Sequence, residues 1–195
     1  MTKLIGITGG IGSGKTFICS IFRTLSVPVY EADNESKRLV NTSSIIRAKL
    51  TANYGDDIYL PTGDLNKQKL ANIIFNDKKE LEKVNNIIHP AVFDDLKAWV
   101  KKNSDNNYLI HEAAIMFESG ANMLMDAVIF IDAPEEIRIK RVLERGNTTE
   151  KEVKRIIDNQ MKVSEKKKLS DYVITNDEKE FLLPQINKLH NIFNN

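Results

Sequence analysis

The stretch Gly9-Gly10-Ile11-Gly12-Ser13-Gly14-Lys15-Thr16, close behind the apolar run Leu4-Ile5-Gly6-Ile7, restricts the fold more than any other part of the chain. It fits the strand, G-x-x-x-x-G-K-[ST], helix arrangement of a phosphate-binding loop. Glycines let successive backbone N–H groups turn inward around phosphate oxygens, where a Cβ would block the approach or forbid a positive φ. Lys15 is spaced to reach β- and γ-phosphates, and the Thr16 hydroxyl can ligate Mg2+. A helix starting near Gly14 adds its N-terminal dipole to the anion site. Phe17, Ile18, Ile21, Phe22 and Leu25 are expected on the core face of that helix.

With 195 residues the chain is one domain long, enough for a substantial core. A net charge of +1 gives no global field to draw nucleic acid or an acidic membrane. Cys19 is the only cysteine, which excludes an intramolecular disulfide and a cysteine-cluster metal site. Among apolar neighbours it reads as a buried thiol rather than a nucleophile. The first strand begins almost at once and leaves no room for a signal peptide. Apolar runs such as Ala127–Ile131 are far too short to span a bilayer. The expectation is a protein of the reducing cytoplasm, with neither a nucleic-acid nor a membrane partner.

Further along, short apolar runs alternate with helical spacing, which predicts a mostly parallel α/β sheet. The expected strands are Leu4–Thr8, Val27–Tyr30, Tyr108–His111, Ala127–Ile131 and Tyr172–Thr175. The interval 34–106 reads as helices: Leu39-Val40, Ile45-Ile46, Leu50, Leu70, Ile73-Ile74, Leu81, Val84 and Ile87-Ile88 recur at helical spacing. A turn-rich piece, Gly55 to Gly63, divides them. Such an insertion is the natural place for substrate binding. At His89-Pro90 the helix is expected to break or kink, with a new one starting at Pro90.

After the fourth strand, Pro134 suits the first helical position. Arg138, Arg141 and Arg145, spaced by three and four, are expected on one face of the helix that follows. A polar break at Gly146-Asn147-Thr148 precedes a capping-box pair, Thr149 and Glu152, that opens a helix running to about Gln160. Helix, break and helix with arginines on one side resembles a lid over 138–160, whose guanidinium groups can clamp phosphates. The Lys162, Lys166, Lys167, Lys168 run, interleaved with Glu165, reads as a solvated face. A last helix, about Glu178 to Phe193, is expected to turn Phe181, Leu182, Leu189, Ile192 and Phe193 inward. Pro184 requires a kink or a later start.

A GTPase switch needs D-x-x-G and N-K-x-D, and neither occurs. A kinase needs a carboxylate near the γ-phosphate to orient or deprotonate the attacking hydroxyl. Ligands of such sheets sit outside the carboxyl ends of the strands. That leaves Glu31 and Asp33 after the second strand, Glu112 after the third and Asp132 after the fourth. Asp33, where a strand passes into a helix, is the expected base with a share in the Mg2+ shell; Glu112 is the reserve.

These residues, in this order, resemble the dephospho-coenzyme A kinase family over nearly the whole chain. Thr8 to Lys15 matches its T-G-G-I-G-S-G-K stretch, and Glu31-Ala32-Asp33 resembles its D-A-D, whose second aspartate is held to be the base. Gly63-Asp64-Leu65 is similar to the D-G-x-L turn, His89-Pro90 to the H-P pair, and Phe117-Glu118 to the end of P-L-L-F-E. Arg141 and Arg145 match the lid R-x-x-x-R, Gln160 the glutamine of the next helix, and Asn176 the asparagine after the last strand. Glu31 stands for an aspartate, Lys67 for an arginine and Ala114 for a proline. Lys67 keeps the charge but loses the bidentate fork.

The resemblance implies a three-layer P-loop kinase fold with a five-stranded parallel sheet, a helical acceptor-binding insertion and a lid, all within a single domain of residues 1–195. It implies transfer of the ATP γ-phosphate to the ribose 3′-hydroxyl of dephospho-coenzyme A. Asp33, Lys15 and Arg141 would be catalytic. Gly10, Ile11, Gly12, Ser13, Gly14, Lys15, Thr16 and Phe17, with Arg141, Arg145 and Asn176, would hold ATP. Thr8, Asp33, Lys67, His89 and Glu112 would serve the acceptor, and Thr16 with Asp33 would hold Mg2+. A monomer or weak oligomer is expected. The rivals are another small-molecule or nucleoside monophosphate kinase, and a non-catalytic nucleotide switch.

Overall fold

Residues 2–74, 77–146 and 148–195 are described in the computed structural model of the chain. Five parallel strands form its sheet: β1 Lys3–Thr8, β2 Val29–Glu31, β3 Tyr108–Glu112, β4 Ala127–Asp132 and β5 Tyr172–Thr175. They lie in the order β2-β3-β1-β4-β5, with β1 central, Gly6 opposite His111 of β3 and Val128 of β4. The expected strands all form, within two residues at each end. Each is short and apolar because a parallel strand is covered on both faces.

Side chains alternate across this sheet. Ile5, Ile7, Ile110, Ile129, Ile131 and Ile174 share one core with two helices, α1 Lys15–Thr24 and α9 Leu182–Asn194. The first contributes Ile18, Cys19 and Phe22, the second Ile186, Leu189 and Phe193. Full burial of one such side chain is worth about 1.5–3 kcal/mol, so core packing holds these helices more than propensity does. Burial also pushes the Cys19 thiol up, so it stays protonated and inert. Phe17 departs from expectation and is 60% exposed. At about 100° per residue it falls outside the arc centred on Ile18, Cys19 and Phe22.

Two compact units divide the chain, Met1–Glu31 with Val100–Asn195, and Ala32–Trp99. The second is helical: α2 Ala32–Thr42, α3 Ser44–Tyr54, α4 Lys67–Ile74 and most of α5 Lys78–Lys102. Its core gathers Leu39, Val40, Ile46, Leu50, Ile58, Leu70, Val84, Ile88, Val92 and Leu96. The turn-rich piece between α3 and α4 is pinned from both sides. The Tyr59 hydroxyl donates to the Val40 carbonyl at 2.9 Å, the Arg47 guanidinium stacks on the Tyr59 ring, and Arg47 also donates to the Gly63 carbonyl.

The expected break at His89-Pro90 does not occur: α5 runs unbroken through Pro90. Proline removes one helical hydrogen bond and crowds one carbonyl. Val84, Ile88, Val92 and Leu96, four apart, bury both halves on one stripe and carry the helix through that loss.

In the first unit, α6 is Glu135–Leu143 and α7 is Glu150–Asn159. Pro134 caps α6 from just outside rather than opening it. The capping box of α7 forms as expected, with Glu152 N–H donating to the Thr149 hydroxyl and Thr149 N–H to the Glu152 carboxylate. Of the polar break before α7, Asn147 lies outside the described residues. A short helix, α8 Val163–Leu169, leads into β5. α9 takes the later start, with Pro184 in its first turn where a missing N–H costs nothing. Phe181, before that start, is 84% exposed and Ile192 41%, so neither turns inward as expected.

Candidate active site

The phosphate-binding loop leaves the carboxyl end of β1. Gly12 and Gly14 take φ of 77° and 92°, values that L side chains rarely adopt. Ser13 N–H donates to the Gly10 carbonyl at 3.1 Å and Ile18 N–H to the Gly14 carbonyl at 3.0 Å, winding the loop into α1. The Lys15 ammonium donates to the Gly9 carbonyl at 3.1 Å and lies 3.9 Å from a Glu112 carboxylate oxygen. Glu112 is buried with it, so the reserve base is a counter-charge in the loop floor.

The loop fits a polyphosphate. The hydroxyls of Thr8 and Ser13 are fully buried and have no hydrogen-bond partner among the described residues. Buried hydroxyls normally find partners, and phosphate oxygens beside a lysine would supply them. Thr16, in the first turn of α1, is exposed. Among the described residues no three His, Cys, Asp or Glu side chains cluster as a metal cage. Mg2+ rarely needs one, being held by one or two protein oxygens plus substrate phosphates.

Three segments close on this loop. From α6, the Arg138 side chain is buried against it: a Cβ on Gly10 would meet Arg138 Nη1 at 2.2 Å, and one on Gly12 the Arg138 carbonyl oxygen at 2.3 Å. Burial holds the Arg138 guanidinium below its ordinary range, opposed by Glu135 3.4 Å away and by Asp132. From the end of β5, the Asn176 amide donates to the Ser13 carbonyl at 2.8 Å. Arg141 in turn donates to the Asn176 side-chain oxygen at 3.3 Å and to Glu178 at 3.2 Å. From the end of α7, the Gln160 side-chain oxygen accepts the Ile11 N–H at 3.2 Å.

Arg138 and Arg141 both reach the loop from α6, but Arg145 does not share their helix. α6 ends at Leu143, so Arg145 lies in the turn beyond it, exposed, while Arg138 is buried and Arg141 sits between the two.

The lysine run is not simply a solvated face either. Lys166 is 1% exposed, with its ammonium 2.7 Å from both the Glu118 carboxylate and the Ala114 carbonyl. Glu118 also accepts the Met161 N–H at 2.9 Å. Lys167 pairs with Asp132 at 2.6 Å, which commits that aspartate to α8. The alternation of lysine with glutamate predicted solvent for every member; a single apolar-spaced position in a charged run gives no sequence signal.

On β3, His111 stacks on Tyr30 with ring centroids 5.6 Å apart. Neither ring nitrogen has a hydrogen-bond partner among the described residues. Burial pushes its pKa down to about 4, so the ring is neutral at neutral pH.

In the helical unit, Asp33 lies exposed in the first turn of α2, two residues past β2. Lys67 opens α4 and is exposed. His89, on α5, is half-buried near Phe93, and burial lowers its pKa.

A family model described as dephospho-CoA kinase matches residues 3–180. A dephospho-CoA kinase from Porphyromonas gingivalis is 40% identical over 93% of this chain and 90% of its own length. One from Salinibacter ruber is 35% identical over 91% and 89%. Among solved structures, TT1252 from Thermus thermophilus superposes with a TM-score of 0.83 at 25% identity, covering 98% of this chain and 95% of that one. A shikimate kinase from Bacteroides thetaiotaomicron, at 15% identity and a TM-score of 0.54 over 98% of each chain, shares the fold. Matched by that family model over residues 3–180 and by relatives up to 40% identical over most of its length, the chain belongs to the dephospho-CoA kinase family.

Proposed function

We propose that the chain transfers the γ-phosphoryl group of ATP to the ribose 3′-hydroxyl of dephospho-coenzyme A, yielding coenzyme A and ADP. The observation that carries this reading is the phosphate cradle of β1 and α1, with its buried Lys15 and two unpartnered hydroxyls, in a chain of this family.

Phosphoryl transfer asks little covalent chemistry of a protein; positioning and charge stabilisation do most of the work. The Gly10–Thr16 loop holds the phosphates with the Lys15 ammonium and with those backbone N–H groups not already given to Gln160 and to the Gly10 carbonyl, and Phe17 borders them. Thr16 and Asp33 would hold Mg2+, which supplies positive charge to the phosphate oxygens. Asp33 takes the proton of the attacking 3′-hydroxyl. Arg141, with Arg145 beyond the end of α6, offsets the charge of the transferring group, and Asn176 orders the loop beneath it. The buried Thr8 hydroxyl meets a phosphate oxygen and Glu112 balances Lys15 beneath it, while Lys67 and His89 serve the acceptor from the helical insertion. Residues 138–160 act as a lid. No helix among the described residues is long and apolar enough to cross a membrane. The protein works in the cytoplasm as a monomer or weak oligomer, without nucleic acid.

A panel of acceptors with coupled ADP detection tests the reading. ADP should form with dephospho-coenzyme A. Turnover with AMP or shikimate and none with dephospho-coenzyme A overturns it.

A further inference from the structure

Glu178 stands in the loop between β5 and α9 with φ of 66°, the left-handed region that glycine favours and glutamate avoids. A residue held in such a conformation persists only where its surroundings over-determine it. Two contacts do so here. Asp177, its neighbour, folds the turn by accepting the Lys179 and Glu180 N–H groups at 3.0 and 2.9 Å. The Glu178 carboxylate accepts from Arg141 Nε at 3.2 Å and lies 3.1 Å from Nη2.

These contacts orient the Arg141 fork. Nε faces Glu178, and Nη2 reaches both Glu178 and Asn176. Nη1 is buried, has no partner among the described residues, and lies 3.8 Å from where a Cβ on Gly14 would sit. One charged N–H group is thus held unmatched at the mouth of the anion cradle, next to the residue that opens α1.

We propose that Glu178 is a positioning residue for nucleotide binding, its carboxylate fixing the Arg141 guanidinium so that Nη1 is presented to a nucleotide phosphate at Gly14. This rests on the reading of Arg141 as an ATP-binding residue. It assigns Glu178 a role that the sequence left blank, and it accounts for a strained backbone at an otherwise exposed position.

Glu178→Gly is the discriminating variant, because glycine keeps the left-handed turn without strain while the exposed side chain goes, its carboxylate included. Its thermal midpoint should stay within about 2 °C of the parent. ATP affinity, read by calorimetry without any acceptor, should fall about five- to tenfold. Glu178→Gln, which keeps an acceptor oxygen but not the charge, should fall between the two. Adding Glu178→Gly to Arg141→Ala should cost nothing beyond Arg141→Ala alone. Parental ATP affinity in Glu178→Gly beside weakened affinity in Arg141→Ala overturns the role of Glu178 and leaves Arg141 standing. Parental affinity in Arg141→Ala overturns both. A lowered midpoint with parental affinity makes Glu178 purely structural and likewise overturns the proposal.

Discussion

The Lys166 ammonium and the Glu118 carboxylate meet at 2.7 Å, and the lysine is shut away from water with the Ala114 carbonyl as its other partner. The pair links the segment after β3 to the joint between α7 and α8, where Glu118 also takes the Met161 N–H. Only the lysine is buried; removing it leaves the exposed Glu118 to water and the Ala114 carbonyl without its partner. Lys166→Met should therefore lower the unfolding free energy by about 1–3 kcal/mol, and Lys166→Arg by clearly less. Urea denaturation measures both. A change below about 1 kcal/mol for the methionine would place the pair among ordinary surface contacts.

Gly12 is constrained twice, by its φ of 77° and by the Arg138 carbonyl oxygen 2.3 Å from any Cβ. That neighbour is backbone, so it cannot turn aside as a side chain would. Gly12→Ala should weaken ATP binding at least about tenfold while far-ultraviolet circular dichroism stays parental, since the strain falls on one loop. Parental ATP affinity in that variant would show that the loop has room the geometry denies.

Asp33→Asn keeps the shape of the side chain and loses the proton acceptor. Its kcat should drop about 100- to 10,000-fold, the range of general base catalysis, while ATP affinity by calorimetry stays within about twofold. Substantial retained kcat removes Asp33 as the base.

His111 gives a pH signature. In the unfolded chain its imidazole gains a proton near pH 6.5, whereas the buried ring stays neutral down to about 4. Between those values the unfolded state binds more protons, so stability falls as pH drops from 6.5 and levels off near 4. Fully developed, the loss is about 3 kcal/mol. His111→Phe, which keeps a ring for Tyr30 to stack on, should remove this component. Parallel stability profiles of parent and variant between pH 7 and 4.5 would disprove it.

Where the sequence was legible, the cause was local. The five strands, the loop and the Thr149 capping box each depend on residues within a few positions of one another, and each formed as expected. The errors came where a distant partner decides. Lys166 is buried because Glu118 and Ala114 lie across from it, and Asp132 is drawn to Lys167. Pro90 is tolerated because core positions on both sides of it share one buried stripe. In the site, the loop, Gln160 and Asn176 could be named from their motif neighbours. Glu178 could not, because its backbone angle and its partner Arg141 are visible only in three dimensions.

The reciprocal cap of α7 has a mechanical corollary. Two of the amides at its start, those of Thr149 and Glu152, are satisfied within the helix itself and draw on no neighbour. Lifting α7 away would give up the seat of Val153, its fully buried side chain, and the grip of Gln160 on Ile11. The helix thus keeps its first turn for itself and hands only its far end, through Gln160, to the loop that carries Ile11.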